Sequence, residues 1–140
     1  APVHGNIAWM QVDIGDRPRL EATFREIASA GGARLMFHLA AYYDFAGENR
    51  PEYLRTNVEG TRNVLDLASG LALDRFVFAS SVAACGFPRP EGPVSEQTPP
   101  DGYHIYAWSK RQGEEMLARY GATVPYCIVR FGAVYSDWCE

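Results

Sequence analysis

Two side chains in the stretch Tyr103–Lys110, which reads Tyr-His-Ile-Tyr-Ala-Trp-Ser-Lys, are spaced for proton chemistry: Tyr106 and Lys110. They lie four residues apart, and the residues that follow (Arg111, Glu114, Glu115, Met116, Leu117) favour helix. Positions i and i+4 share a helix face, so a phenol and an ammonium can sit side by side. A neighbouring cation favours the charged form of its partner and draws a tyrosine down from its ordinary pKa of about 10. A phenol tuned in that way can serve as a general acid or base. The same spacing also describes an ordinary solvated pair on a helix surface. The elements around it must decide.

Those elements alternate. Ile7 to Val12 is a short apolar run that predicts a strand, ended by Asp13-Ile14-Gly15-Asp16. Asp16 suits a helix N-cap and Pro18 a first turn, after which Leu20, Phe24 and Ile27 recur on one helical face until Gly31-Gly32. Leu35 to Leu39 is almost continuously apolar, the pattern of a strand buried on both faces of a parallel sheet, and it runs into Ala40-Ala41. The aromatic stretch Tyr42-Tyr43-Asp44-Phe45 follows, and Pro51 then opens a second helix that closes at Gly70. Arg75 to Ser80 predicts another strand, which ends in Ser80-Ser81. Residues 86–102 are rich in proline and predict an irregular loop. The Tyr106 helix, closing near Gly121, and a last strand Tyr126–Phe131 complete the series.

Strand and helix in alternation is the pattern of an α/β domain with a parallel sheet, and such sheets bind ligands beyond the carboxyl ends of their strands. Asp13, Ala40-Ala41, Ser80-Ser81 and Phe131-Gly132 all fall at such ends. Each also has a plainer reading. Asp13 can simply cap a strand end, and Ser80 can bond backbone. His38, apolar-flanked within a strand, reads as a core histidine. His104 reads as a surface or cap residue, and Trp108 fits the core as readily as a ligand.

With 140 residues, 47% of them hydrophobic, the chain predicts one domain with a buried core. Thirteen Lys plus Arg against seventeen Asp plus Glu leave a net charge of −4, which argues against nucleic acid or an anionic membrane as partner. No apolar run approaches a membrane span, and no signal peptide is visible. Cys85, Cys127 and Cys139 are odd in number and lack metal-ligand spacing, so no metal is expected; reduced thiols in a cytoplasmic protein are.

Taken together, these segments resemble the extended short-chain dehydrogenase/reductase family of the NAD-dependent epimerase/dehydratase type. The matching residues are Val12-Asp13-Ile14, His38-Leu39-Ala40-Ala41, Thr56-Asn57-Val58-Glu59-Gly60-Thr61, Phe76-Val77-Phe78-Ala79-Ser80-Ser81, Tyr106-x-x-x-Lys110 and Ile128-Val129-Arg130-Phe131. The resemblance implies a Rossmann-like, doubly wound parallel sheet binding NAD or NADP. It implies that Tyr106 is the catalytic acid/base, that Lys110 lowers its pKa and holds the nicotinamide ribose, and that Ser81 hydrogen-bonds the reacting oxygen. For the cofactor it implies Asp13 and Ile14 beside the adenine and Leu39, Ala40 and Ala41 along the dinucleotide. Asn57 would support the nearby backbone, and Ala79, Ser80, Phe131 and Gly132 would complete the site.

Family members open with a strand, a Gly-rich turn and a helix that holds the pyrophosphate. No such turn occurs in these 140 residues, so residues 1–140 read as one partial domain without its first two strands and without a substrate region. In a sheet ordered 3-2-1-4-5-6, the third strand then has no neighbour. Cys85 stands where nucleotide-sugar epimerases often carry Tyr. The expected activity is NAD(P)-dependent hydride transfer on a small-molecule substrate, with nucleotide sugars as one class and carbonyl or hydroxysteroid-like compounds as another. A dinucleotide-binding module without turnover, or an inactive fragment, is the alternative outside enzymes. The family implies a homodimer.

Overall fold

The computed structural model describes residues 7–86 and 92–134; Pro88 and Pro90 of the irregular loop, and Cys139, lie outside the described residues. Helix α1 (Arg17–Ser29) begins as its sequence predicts, with the Asp16 carboxylate accepting from the Arg19 N–H at 3.2 Å and Pro18 in the first turn. It buries Leu20 and Phe24. It ends where Gly31 and Gly32 take φ of 107° and 82°, values that side chains with a Cβ avoid.

Strand β1 (Leu35–His38) leads through the aromatic stretch into a segment of π winding, Tyr53–Gly60, which runs directly into α2 (Thr61–Ala68). Strand β2 (Arg75–Ser81), a 3₁₀ turn (Val82–Cys85), α3 (Ile105–Tyr120) and β3 (Tyr126–Phe131) follow. The three strands form one parallel sheet in the order β1-β2-β3, with His38 opposite Phe78 and Ser81 opposite Phe131. Joining parallel neighbours needs a crossover, and α2 and α3 supply it.

All three helices contribute to a single core. Phe76 and Phe78, which share one face of β2, pack with Leu20 and Phe24 of α1, Leu65 and Ala68 of α2, and Met116 and Leu117 of α3. The approach of α3 to the sheet depends on Gly113: a Cβ there would stand 2.3 Å from Phe78 Cζ. A buried polar cluster locks the same elements together. Ser80 donates to Glu114 Oε1 at 2.5 Å, and Arg130 of β3 grips both Glu114 oxygens at 3.0 and 2.7 Å while bonding the Thr98 carbonyl at 2.7 Å.

Two expectations are corrected. Ile7–Val12 is not a strand, because a strand exists by its ladder and no described neighbour pairs with this run. Strand β1 is buried on one face only: Leu35 and Phe37 are 57% and 62% exposed, while His38 is buried. The helices of the described residues gather on the Phe76 face, so the continuous apolar run of β1 has packing partners on that side alone. No helix among the described residues is long and apolar enough to cross a membrane, and none of their His, Cys, Asp and Glu side chains group to hold a metal.

Candidate active site

The carboxyl ends of β2 and β3 and the start of α3 border an open cavity of about 690 Å³. Strand alternation decides which serine reaches it. Successive side chains point to opposite faces, so Ser80 turns into the core toward Glu114 while Ser81 lines the cavity. The Ser80 side chain is therefore committed to Glu114, away from the cavity. The Ala83 N–H donates to Ser81 Oγ at 3.1 Å. Ser81 and Tyr106 both line the cavity, and the Ser81 hydroxyl acts on the phenol as a lowering influence on its pKa.

Tyr106 stands in the first turn of α3 and borders the cavity with Phe131 and Gly132. Its ring meets Tyr43 edge-on at 4.8 Å and Tyr53 at 6.5 Å. Burial pushes the phenol above its ordinary pKa, and the Ser81 hydroxyl pulls the other way. The expected lowering by Lys110 is not what the geometry shows. Lys110 Nζ lies 5.8 Å from the Tyr106 ring centre and donates to the Ala79 carbonyl at 2.8 Å, and Ser81 is the group that favours the phenolate. Lys110 is only 5% exposed, and burial lowers its ammonium to about 8.

Behind these groups, Asn57 of the π segment holds the loop after β1. Its amide donates to the Tyr42 carbonyl and to Ser109 Oγ, both at 2.9 Å, and its oxygen accepts from the Tyr42 N–H at 2.6 Å. Ser109 in turn donates to the Tyr106 carbonyl at 2.7 Å. Asn57 thus braces backbone beside the strand end, and Leu39, Ala40 and Ala41 lie exposed next to it. Farther off, Asp13 accepts from the Gly15 N–H at 2.8 Å and pairs with Arg55, whose hydrogen bond holds its carboxyl below the usual range. Ile14 packs against Gly60, where a Cβ would come within 2.7 Å of its Cγ1. His38 is the core histidine its surroundings predict: it shares a 3.0 Å hydrogen bond with Thr61, stacks on Phe78, and is lowered to about 4 by burial.

The cavity also includes residues outside the predicted set, above all Tyr43, Phe45 and His104. Tyr43 and Phe45 carried a signal, since an aromatic pair directly after a strand lies where such sheets bind ligands. For His104 the cap reading holds, with Nδ1 accepting from the Ala107 N–H at 3.3 Å, and it hid the second position of the ring on the cavity wall.

The residues present fit the nicotinamide end of a dinucleotide. An ammonium carries three donors and Ala79 engages one of Lys110's, while the small residues Ala40 and Ala41 lie exposed beyond the end of β1.

The UDP-glucose 4-epimerase of Thermus thermophilus, solved in complex with NAD, superposes with a TM-score of 0.84 at 27% identity, covering 99% of this chain and 45% of that one. The UDP-glucose 4-epimerase of Streptococcus mutans is 29% identical over 84% of this chain and 34% of its own. The 3 beta-hydroxysteroid dehydrogenase/Delta 5-->4-isomerase of monkeypox virus is 27% identical over 94% of this chain and 40% of its own. The chain spans less than half the length of each. The model of the NAD dependent epimerase/dehydratase family matches residues 2–138, and the chain belongs to that family.

Proposed function

We propose that this chain forms the catalytic centre of an NAD(P)-dependent oxidoreductase in which Tyr106 moves the proton. The observation that carries this reading is that Ser81 and Tyr106 border one open cavity, with the buried Lys110 ammonium 5.8 Å from the Tyr106 ring centre. The cofactor supplies or accepts the hydride. Ser81 orients the substrate oxygen, and Tyr106 Oη donates its proton to that oxygen in reduction and removes it in oxidation. A phenol raised by burial stays protonated at neutral pH, which suits the donating direction. Lys110 would bond the ribose, and Leu39, Ala40, Ala41, Asn57, Phe131 and Gly132 would border the dinucleotide.

The cavity favours a neutral carbonyl or hydroxysteroid-like substrate. Among its described lining residues there is no Asp, Glu, Lys or Arg, and Tyr43, Phe45, Val82 and Phe131 give it apolar walls. A nucleotide sugar carries a pyrophosphate that calls for cationic donors. The likeness to UDP-glucose 4-epimerases supports that second reading. In the full gene product, Tyr106→Phe is expected to lower turnover by at least about a hundredfold while NADH affinity, followed by fluorescence, holds within twofold. Wild-type turnover in that variant sinks the mechanism. Consumption of NADH during turnover separates a reductase from an epimerase, which returns its cofactor unchanged.

A further inference from the structure

His104 is placed to do two jobs at once. As the residue preceding α3, it caps the helix: Nδ1 accepts the Ala107 N–H at 3.3 Å, and the backbone of His104 is extended, with φ −67° and ψ 153°, as an N-cap requires. Only a ring nitrogen without a proton can accept. The cap therefore assigns the neutral imidazole its tautomer, Nδ1 bare and Nε2 carrying the proton. The same ring lines the cavity and stacks over Tyr106, with centres 6.4 Å apart and planes 21° from parallel. The cavity is otherwise sparing in polar side chains: among the described lining residues only Ser81, Tyr43 and Tyr106 join His104. In the proposed mechanism Ser81 and Tyr106 are both committed to the reacting oxygen.

We propose that His104 is a specificity-determining residue: its Nε2–H donates to a second oxygen of a neutral aromatic substrate whose first oxygen lies between Ser81 and Tyr106. This rests on the reading of the cavity as the substrate site. The physical reason is restricted motion. A ring held at Nδ1 by the helix cap loses little freedom on binding, so its hydrogen bond is preorganised. The selected chemistry is a neutral carbonyl compound that carries a second acceptor oxygen, such as a 1,2-diketone or an α-hydroxyketone.

The test uses two neutral probes of nearly equal size, benzil with two adjacent carbonyls and deoxybenzoin with one. Dissociation constants are measured by NMR titration for the wild-type chain and for His104→Ser, which retains a capping hydroxyl but cannot reach across the cavity. One net hydrogen bond predicts that wild type prefers benzil by about fivefold to tenfold. His104→Ser should erase that preference and leave deoxybenzoin affinity within twofold. Long-range ¹H–¹⁵N spectra should show His104 with a bare Nδ1 and a protonated Nε2. A protonated Nδ1, a wild type that binds the two ketones equally or binds neither, or a variant that keeps the preference overturns the proposal. Failure of the catalytic reading looks different: Tyr106→Phe would retain turnover while the ketone preference stayed as predicted.

Discussion

A lysine that is 5% exposed, with its ammonium donating to a backbone carbonyl, opposes folding, and its cost has a measurable signature. Burial lowers Lys110 from 10.5 to about 8, so between those values the unfolded chain binds more protons than the folded one. Stability therefore rises with pH across that window: the cost is fully present below about pH 8 and gone above 10.5. His38, lowered from 6.5 to about 4, obeys the same sign in a lower window, and its share of stability is lost as pH falls from 6.5 toward 4. Each shift corresponds to roughly 3 kcal/mol at most. Lys110→Met should thus stabilise the chain at pH 7 by about 1–2 kcal/mol after the lost hydrogen bond, and flatten the alkaline rise in urea midpoints. For His38, denaturation at pH 7 and pH 4.5 should differ by about 2 kcal/mol or more. Equal midpoints there would mean the histidine titrates normally. That Tyr106 and Lys110 share a helix face was legible from spacing, whereas the Ala79 carbonyl as the ammonium's partner was not. Which backbone group faces a side chain is decided by the sheet beneath the helix.

Helix α3 carries the site and owes its position to a residue without a side chain. Gly113 lies on the α3 face that meets Phe78, with room for nothing larger. In an isolated helix Gly113→Ala would gain about 1 kcal/mol of propensity. Here the new methyl would meet a ring that is 2% exposed, and overpacking costs about 1–3 kcal/mol. The clash should win, lowering stability by about 1–2 kcal/mol and displacing Tyr106 from Ser81. Chemical denaturation reads the first effect, and a weakened response of turnover to Ser81→Ala reads the second. A gain in stability would show that α3 has slack against the sheet. The elements themselves were legible because their signals are local. Asp16 caps, Gly31 and Gly32 stop a helix, and the runs at Arg75 and Tyr126 are apolar and short. The π winding of Tyr53–Gly60 carried no signal beyond helicity. Two of its residues are held by tertiary partners that no local pattern reveals, Asn57 by Tyr42 and Ser109 and Gly60 by Ile14.

For the molecule as a whole, the sheet is covered unequally. Phe76 is fully buried against the three helices, and Phe37, on the neighbouring strand, is 62% exposed on the opposite face. Two phenylalanines in adjacent strands should therefore answer very differently. Phe76→Ala is expected to cost about 3–5 kcal/mol, and Phe37→Ser within about 0.5 kcal/mol. Paired thermal melts check both, and similar losses would mean that the Phe37 face is covered in solution.

By itself, the order of residues determined the alternation of strands and helices, the caps, and the adjacency of Tyr106 and Lys110 on one helix face, because each depends on contacts within a few positions. The structure decided what depends on distant ones. It turned Ser80 into the core and Ser81 into the cavity, since the pleat assigns faces only once one of them is buried. It left Ile7–Val12 unpaired, since a strand is a relation between two segments. And it brought Tyr43 and Phe45, far from Tyr106 in the sequence, to the cavity that His104 and the phenol share. No local pattern encodes that meeting. It follows from parallel strands that end on the same edge of the sheet, each delivering the loop after it to the same place.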